Sequence, residues 1–364
     1  MYWLPIIYFL VCVTAVDAAS YSKLVSINNK NLKVKNNMHE SKKIKLGVSS
    51  CLLGNPVRFD GGHKKDAWLV NVLSEYAEYV PVCPEVEMGL PIPRETLRLV
   101  GNPEAPKLVT TKTYRDFTGQ MNAYAAERVK QLEDEHLCGY IFKRGSPSSG
   151  MERVRVYKDI DPIQGKKNSH PPSHNGVGLF ARAFMDHFPL LPVEEEGRLG
   201  DARLRENFIE RIFLMQRWRE LLNQPFSLGK LIQFHTRHKL LIMSHSVEYY
   251  RSMGKLVAHG KEIESEELLQ QYQKELLTAV KLKPTVKKHT NVLQHIAGYF
   301  KKKLTPDEKQ ELQEIIEQYR TSLIPLIVPI TICNHYVRKY NEEYLQNQWY
   351  LNPHPIELKL RNHV

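Results

Sequence analysis

The sequence predicts an α/β domain built on a parallel sheet, followed by an all-α helical domain. Two observations carry this. Up to about Gly200, apolar runs of strand length alternate with segments of helical spacing, the pattern of strand–helix–strand units. Beyond Gly200 only the 3.6-residue spacing persists, punctuated by Pro284, Pro306, Pro325 and Pro329. A chain of 364 residues suits two domains of ordinary size.

The elements follow in order. Lys45 to Ser49 is an apolar strand ending at Cys51, and Asp66 to Ala77 has helical spacing. Tyr79 to Val82 is a second strand, ending at Cys83-Pro84. Leu97 to Val100 and Lys107 to Thr110 are short strands split by Gly101-Asn102-Pro103. Thr118 to Leu132 is an amphipathic helix, and Gly139 to Lys143 a strand that runs into Gly145-Ser146-Pro147-Ser148-Ser149-Gly150. Gly178 to Phe188 is a helix and Leu191 to Val193 the last strand. Then come helices over Arg203–Leu222, Leu228–Val257, Ser265–Leu282, Val286–Lys303, Pro306–Tyr319 and Leu326–Tyr344, with Thr305 an N-cap and Pro306 at N1. The predicted division is a leader over 1–37, an α/β domain over 40–200, a connecting helix over 201–225 and an RNA-binding helical domain over 226–358.

Composition excludes several classes. With 42% apolar and 25% charged residues the chain is neither disordered nor a multi-spanning membrane protein. Five cysteines are too few for a disulfide-dense scaffold. A net charge of +11 favours an anionic partner, nucleic acid first. Tyr2 to Val16 is uncharged and has the length of a signal-peptide core, short for a membrane span. No basic residue precedes it, and Met38 stands just before Lys42, Lys43 and the first strand. The first 37 residues therefore read as an upstream extension ahead of a start at Met38, with a targeting segment the competing reading. Cys51 and Cys83 lie in loops without close partner spacing, which suits a reducing, cytoplasmic setting and metal or redox chemistry.

Cys51, Cys83 and the serine loop each follow directly on a strand. In an open α/β sheet the ligand site lies beyond the carboxyl ends of the strands, so the three should converge. Two thiolates are plausible metal ligands, although a separation of 32 residues is no zinc-ribbon spacing and free cysteines are often small buried hydrophobes. Glu85 is either a proton shuttle or an ordinary loop carboxylate. Arg58-Phe59-Asp60-Gly61-Gly62-His63-Lys64 is either a substrate-contacting loop, through Arg58, Asp60 and His63, or a tight turn. The serine loop offers hydroxyls and amides to an anion but has no lysine at P-loop spacing. From Phe226 onward, 20 Lys+Arg face 14 Asp+Glu, with Lys281, Lys283, Lys287 and Lys288 clustered and Tyr249, Tyr250, Tyr299, Phe300 and Tyr336 interleaved. Such a set contacts phosphates and stacks bases, or forms a solvated face over core aromatics. His235 and His238 lack a metal-binding context and read as structural or RNA-facing.

Ser50-Cys51-Leu52-Leu53-Gly54, Val57-Arg58-Phe59-Asp60-Gly61-Gly62-His63-Lys64, Val82-Cys83-Pro84-Glu85-Val86-Glu87 and Ser146-Pro147-Ser148-Ser149-Gly150 together resemble the TudS-type desulfidase family over roughly Lys43 to Leu199. Phe234-His235-x-Arg237-His238-Lys239, Lys283-Pro284-x-x-Lys287 and Leu351-Asn352-Pro353-His354-Pro355 resemble the YbgA-like helical domain fused to it in RudS-type RNA desulfidases. The resemblance implies a [4Fe-4S] enzyme that removes sulfur from thiolated uracil derivatives, in the fused form from 4-thiouridine of tRNA. In that family three cysteines hold three irons and the fourth iron takes the substrate sulfur. Cys51 and Cys83 match two of the ligands and Glu85 the acid/base carboxylate. Ser146, in preference to Ser148, matches the catalytic serine. Ser148 joins Arg58, Asp60 and His63 in substrate binding, and Lys239, Lys283, Lys287 and Lys288 carry RNA contacts. The third metal position departs from the pattern, being Ser149 where the family has cysteine, and a hydroxyl is a much poorer iron ligand. Cys138 cannot replace it, lying at the far end of a strand of about seven residues, roughly 23 Å away. Three readings follow: a working cluster-dependent tRNA desulfidase, a tRNA-binding relative without turnover, and a mononuclear metal hydrolase using Cys51, Cys83 and His63.

Overall fold

A computed structural model describes residues 43–160 and 171–363; the leader over 1–37 and the start at Met38 lie outside the described residues. The first sheet is parallel throughout, in the order β2-β1-β5-β8. Its strands are β1 (Ile44–Ser49), β2 (Ala77–Val82), β5 (Gly139–Phe142) and β8 (Val193–Glu195). Every residue of β5 is buried, as expected of a parallel strand covered on both faces. From β1 the chain moves outward to β2, then crosses to β5 on the other side of β1. Strand order thus reverses between β1 and β5, and the crevice at their carboxyl ends is where such sheets bind ligands.

Helices α1 (Ala67–Asn71), α2 (Pro84–Glu87), α3 (Thr118–Gln131) and α4 (Leu179–His187) complete this part. The helix expected over Asp66–Ala77 is shorter: Asp66 caps α1 by accepting from the Leu69 N–H at 3.0 Å, but Ala77 pairs with Ile44 and so belongs to β2. A second sheet, β4-β3-β6-β7, was not expected and is mixed. β3 (Leu97–Asn102) and β4 (Ala105–Thr110) form an antiparallel hairpin; β3 pairs parallel with β6 (Val154–Tyr157), which pairs antiparallel with β7 (Ser173–Gly176). Tyr140 and Phe142 of β5 meet Phe184 of α4 with ring centroids 4.6 and 5.6 Å apart, joining sheet and helix by aromatic packing.

The rest is helical: α5 (Ala202–Leu222), α6 (Leu228–His245), α7 (Val247–Ala258), α8 (Ser265–Lys281), α9 (Val286–Tyr299), α10 (Pro306–Arg320), α11 (Ile327–Lys339) and α12 (Glu343–Gln346). Asp201 caps α5 by accepting from the Arg203 and Leu204 amides at 2.9 Å. Trp218 of α5 stacks on Tyr272 of α8 and meets Phe234 of α6 edge-on, both at 5.4 Å. The single helix expected over Leu228–Val257 is two. The chain turns extended at Ser246, whose hydroxyl accepts from the Tyr249 amide and starts α7. Thr305 and Glu308 form a capping box with Pro306 at N1. No described helix is long and apolar enough to cross a membrane.

Candidate active site

Cys51 sits in a single 3₁₀ turn, Ser50–Leu53, directly after β1. Its carbonyl accepts from the Lys64 amide at 2.9 Å, folding the Arg58–Lys64 loop back against it. At the end of β1, the Ser49 hydroxyl accepts from the Lys143 amide at 2.9 Å, which fixes the start of the third loop beside the first. The Cys51 thiol is buried, and burial pushes it up to about 11, against the pull of the Lys143 ammonium.

Cys83 is the N-cap of α2, and its amide donates to Glu87 Oε1 at 2.8 Å. Glu87 is held in turn by the Tyr124 hydroxyl (2.6 Å) and Arg128 (3.0 Å) of α3, so α3 fixes where Cys83 stands. The Cys83 Sγ lies 3.6 Å from Glu85 Oε2 and 3.8 Å from the Val57 carbonyl. Burial and the adjacent Glu85 push this thiol up to about 12. A bound cation reverses both shifts, because it favours the thiolate.

Glu85 joins the second loop to the third. Its Oε1 accepts from the Ser148 hydroxyl at 2.5 Å, and its Oε2 faces Arg94 at 4.0 Å. Of the two serines, Ser148 reaches the carboxylate. Ser146, favoured from the sequence, stands one step behind: its Oγ lies 2.9 Å from Ser148 Oγ and accepts from the Ser148 and Ser149 amides. Ser149 is 3% exposed, its Oγ 3.5 Å from Ser148 Oγ. The loop is seated on the N-terminus of α4. The carbonyls of Pro147, Ser148 and Gly150 accept from the Leu179, Ala181 and Gly178 amides at 3.2, 3.0 and 2.8 Å. Two glycines permit this approach: a Cβ on Gly178 would stand 2.4 Å from the Ser148 carbonyl oxygen, and one on Gly150 2.7 Å from that of Ser146.

The remaining predicted residues lie further out. Arg58 pairs with Asp60 at 3.3 Å and lies over the Phe59 ring at 5.2 Å. Asp60 and His63 are exposed, and His63 Nδ1 accepts from the Lys65 amide. Among the described residues no three His, Cys, Asp or Glu side chains stand together as a metal-ligand group, so Cys51, Cys83 and His63 are not assembled as the mononuclear reading requires. Cys138 precedes β5, at the amino ends of the strands and so opposite the site, with its Sγ 3.2 Å from Gln216 Oε1.

Two residues were missed. The Arg94 side chain is 8% exposed, with one terminal nitrogen lacking a hydrogen-bond partner among the described residues. Lys143 pairs with Glu196 and is the cation beside Cys51. Its place directly after β5, where the serine loop begins, is the signal that could have found it.

In the helical part, His235 and His238 are structural. His235 Nδ1 lies 3.2 Å from the Tyr272 hydroxyl, and His238 Nε2 accepts from Arg217 Nε at 3.0 Å. Lys283 and Lys287 are exposed. The Lys239 ammonium lies 5.0 Å over the Tyr344 ring. Lys288 is tied down, donating to the His245 carbonyl at 2.6 Å and that of Lys283 at 3.3 Å.

A parallel sheet that gathers two thiols, a carboxylate and a serine at its switch point defines a thiol-centred enzyme site. Residues 46–196 match the family model described as 2-thiouracil desulfurase, and residues 239–355 match a model described as a protein of unknown function, DUF1722. The first stretch is thus a domain that matches the 2-thiouracil desulfurase model, and the second one that matches DUF1722. It is similar to the uncharacterized protein YbgA of Escherichia coli (strain K12), 29% identical over 44% of this chain and 95% of that protein. It is also similar to a solved structure, the [4Fe-4S]-dependent thiouracil desulfidase TudS, with 30% identity over 43% of this chain and 94% of that one and a TM-score of 0.34.

Proposed function

We propose that this protein removes sulfur from a thiolated uracil base, with 4-thiouridine of cytoplasmic tRNA as its substrate. The observation that carries the reading is the single hydrogen-bonded chain Cys83–Glu85–Ser148, which spans two strand-end loops beside Cys51. The donor chemistry fits an iron–sulfur cluster at Cys51 and Cys83, two soft thiols on neighbouring strands, with Ser149 in the third position. When bound, such a cluster supplies an open iron as a Lewis acid for sulfur.

The chain's own groups handle the proton. Ser148 donates to Glu85 Oε1, which leaves Oε2 to take a proton from attacking water and return it to the departing group. Arg94 faces that same oxygen at 4.0 Å and supplies positive charge beside it. Lys143 supplies positive charge beside the Cys51 thiolate. The α/β domain over 40–200 does the chemistry, α5 connects, and the basic helices over 226–358 hold the RNA.

One observation favours a second reading, a tRNA-binding relative without turnover. Ser149 offers a hydroxyl, which does not ionise near neutral pH, where the third ligand would stand. Anaerobic reconstitution with iron and sulfide, followed by incubation with thiolated tRNA, separates the two. Bound iron with loss of thiouridine supports the first. RNA binding without iron, together with iron uptake by Ser149→Cys, supports the second. Neither iron nor RNA binding refutes both.

A further inference from the structure

A cavity of about 310 Å³ lies in the helical part, between α5, α9 and α10, remote in sequence from the thiol site. Its size falls at the lower end of small-molecule pockets, roughly 300–1,000 Å³. Its side walls are apolar: Pro284, Val286, Ile324 and Leu326. The two carboxylates in its lining, Glu206 and Glu210, are offset by two guanidiniums, Arg203 in the same lining and Arg361. Arg361 bonds Glu206 at 3.2 Å and Glu210 at 2.6 Å, and a third contact to the Tyr350 carbonyl at 2.7 Å holds it there.

What remains for a ligand is a mixed set of hydrogen-bonding groups. Tyr319 is 5% exposed and lines the cavity, yet its hydroxyl makes no hydrogen bond among the described residues. His289 has one ring nitrogen on the Tyr350 hydroxyl at 3.1 Å and the other open. Asn207 uses its amide nitrogen on the Val280 carbonyl and leaves its oxygen as an acceptor. Donors and acceptors together, between apolar walls, suit a flat uncharged heterocycle rather than an ion.

The rim has a different character. Pro284 and Thr285 lead into α9, a 14-residue helix that begins at Val286 with Thr285 as its N-cap. Thr285 Oγ1 accepts from the Lys288 amide, and the positive end of the helix dipole lies at this rim. Exposed Lys283 and Lys287 flank it, with Asp201 the acidic neighbour of Lys283 and Arg203. We propose that the helical part carries a nucleotide-binding site of its own, in which the cavity takes an uncharged base and the start of α9 its phosphate. The source is a free nucleotide or one unit of an RNA strand. This site does not depend on the sulfur chemistry at the strand ends.

The test is calorimetric titration of the full chain with inorganic phosphate, uridine 5′-monophosphate and a short single-stranded oligouridine. The mononucleotide should bind, with phosphate alone at least about tenfold weaker. Tighter binding of the oligomer identifies a strand as the source, and equal binding a free nucleotide. Tyr319→Phe should weaken binding about tenfold with the thermal midpoint unchanged. Lys287→Ala, at the exposed rim, should weaken it and flatten its salt dependence. Cys83→Ala should leave it intact. Phosphate binding as tightly as the mononucleotide, no binding of either uridine probe, indifference to both Tyr319→Phe and Lys287→Ala, or loss in Cys83→Ala would each overturn the proposal.

Discussion

Gly178→Ala is the sharpest probe of the serine loop. The backbone of Gly178 has φ −62 and ψ 143, which alanine adopts freely, so the substitution tests space alone. The added Cβ would meet the Ser148 carbonyl oxygen at 2.4 Å, its carbon at 2.5 Å and the Ser149 nitrogen at 2.8 Å. All three are backbone atoms and none can swing aside. Relief to an ordinary contact needs a shift of about 1 Å, and a 1 Å misplacement costs on the order of 10²-fold in rate. Overpacking of this kind also costs about 1–3 kcal/mol of stability. The shift pulls Ser148 off Glu85 while leaving Cys51 and Cys83 on their own strands. The assay is single-turnover release of sulfide from thiouracil by iron-loaded protein, with iron content and thermal midpoint measured alongside. The expected result is retained iron, a lowered midpoint and a rate about 100-fold down. Wild-type rate and midpoint together would refute the seating of the loop on α4 as its positioning device.

Other outcomes follow from the same structure. Ser148→Ala should lower turnover more than Ser146→Ala, while Ser146→Ala should lose more stability, on the order of 1–3 kcal/mol, because it strands the Ser148 and Ser149 amides; denaturant melts and sulfide release check both. Arg361→Met should destabilise the chain by about 3–5 kcal/mol, since it leaves Glu206 and Glu210 buried without their cation; urea unfolding measures it. Stability should fall in mild acid. Burial holds His289 down to about 3 and His235 and His354 to about 4, whereas the unfolded chain takes up these protons near 6.5. Between those limits the unfolded state binds more protons, so each histidine removes up to about 1.4 kcal/mol per pH unit as pH drops below 6.5; His289→Gln should flatten the slope of a pH series of urea midpoints.

The parallel sheet and the convergence of three loops were legible because buried strands read as short apolar runs, and the geometry of their carboxyl ends is general. That placed Cys51, Cys83 and Glu85 at strand ends as candidates, and their roles as ligands and acid/base carboxylate came from the family resemblance. The second sheet was not legible. β7 is Ser-His-Asn-Gly, without an apolar residue, and forms through its pairing with β6 rather than through any pattern of its own. The break at Ser246 hid because Met243, Val247 and Tyr250 continue the helical spacing across it, and only the serine cap signals the turn. The choice between Ser146 and Ser148 depends on how the amides of α4 rotate the loop, a tertiary effect that spacing cannot register. Arg94 and Lys143 are single charges in loops and carry no periodicity.

The order β2-β1-β5 gives the site a ruler. Neighbouring strands in a sheet stand about 4.8 Å apart, a spacing set by backbone pairing and indifferent to what the tips carry. Cys51 and Cys83, just past the paired ends of β1 and β2, therefore keep their separation whatever side chain the third loop, seated on α4, presents to them.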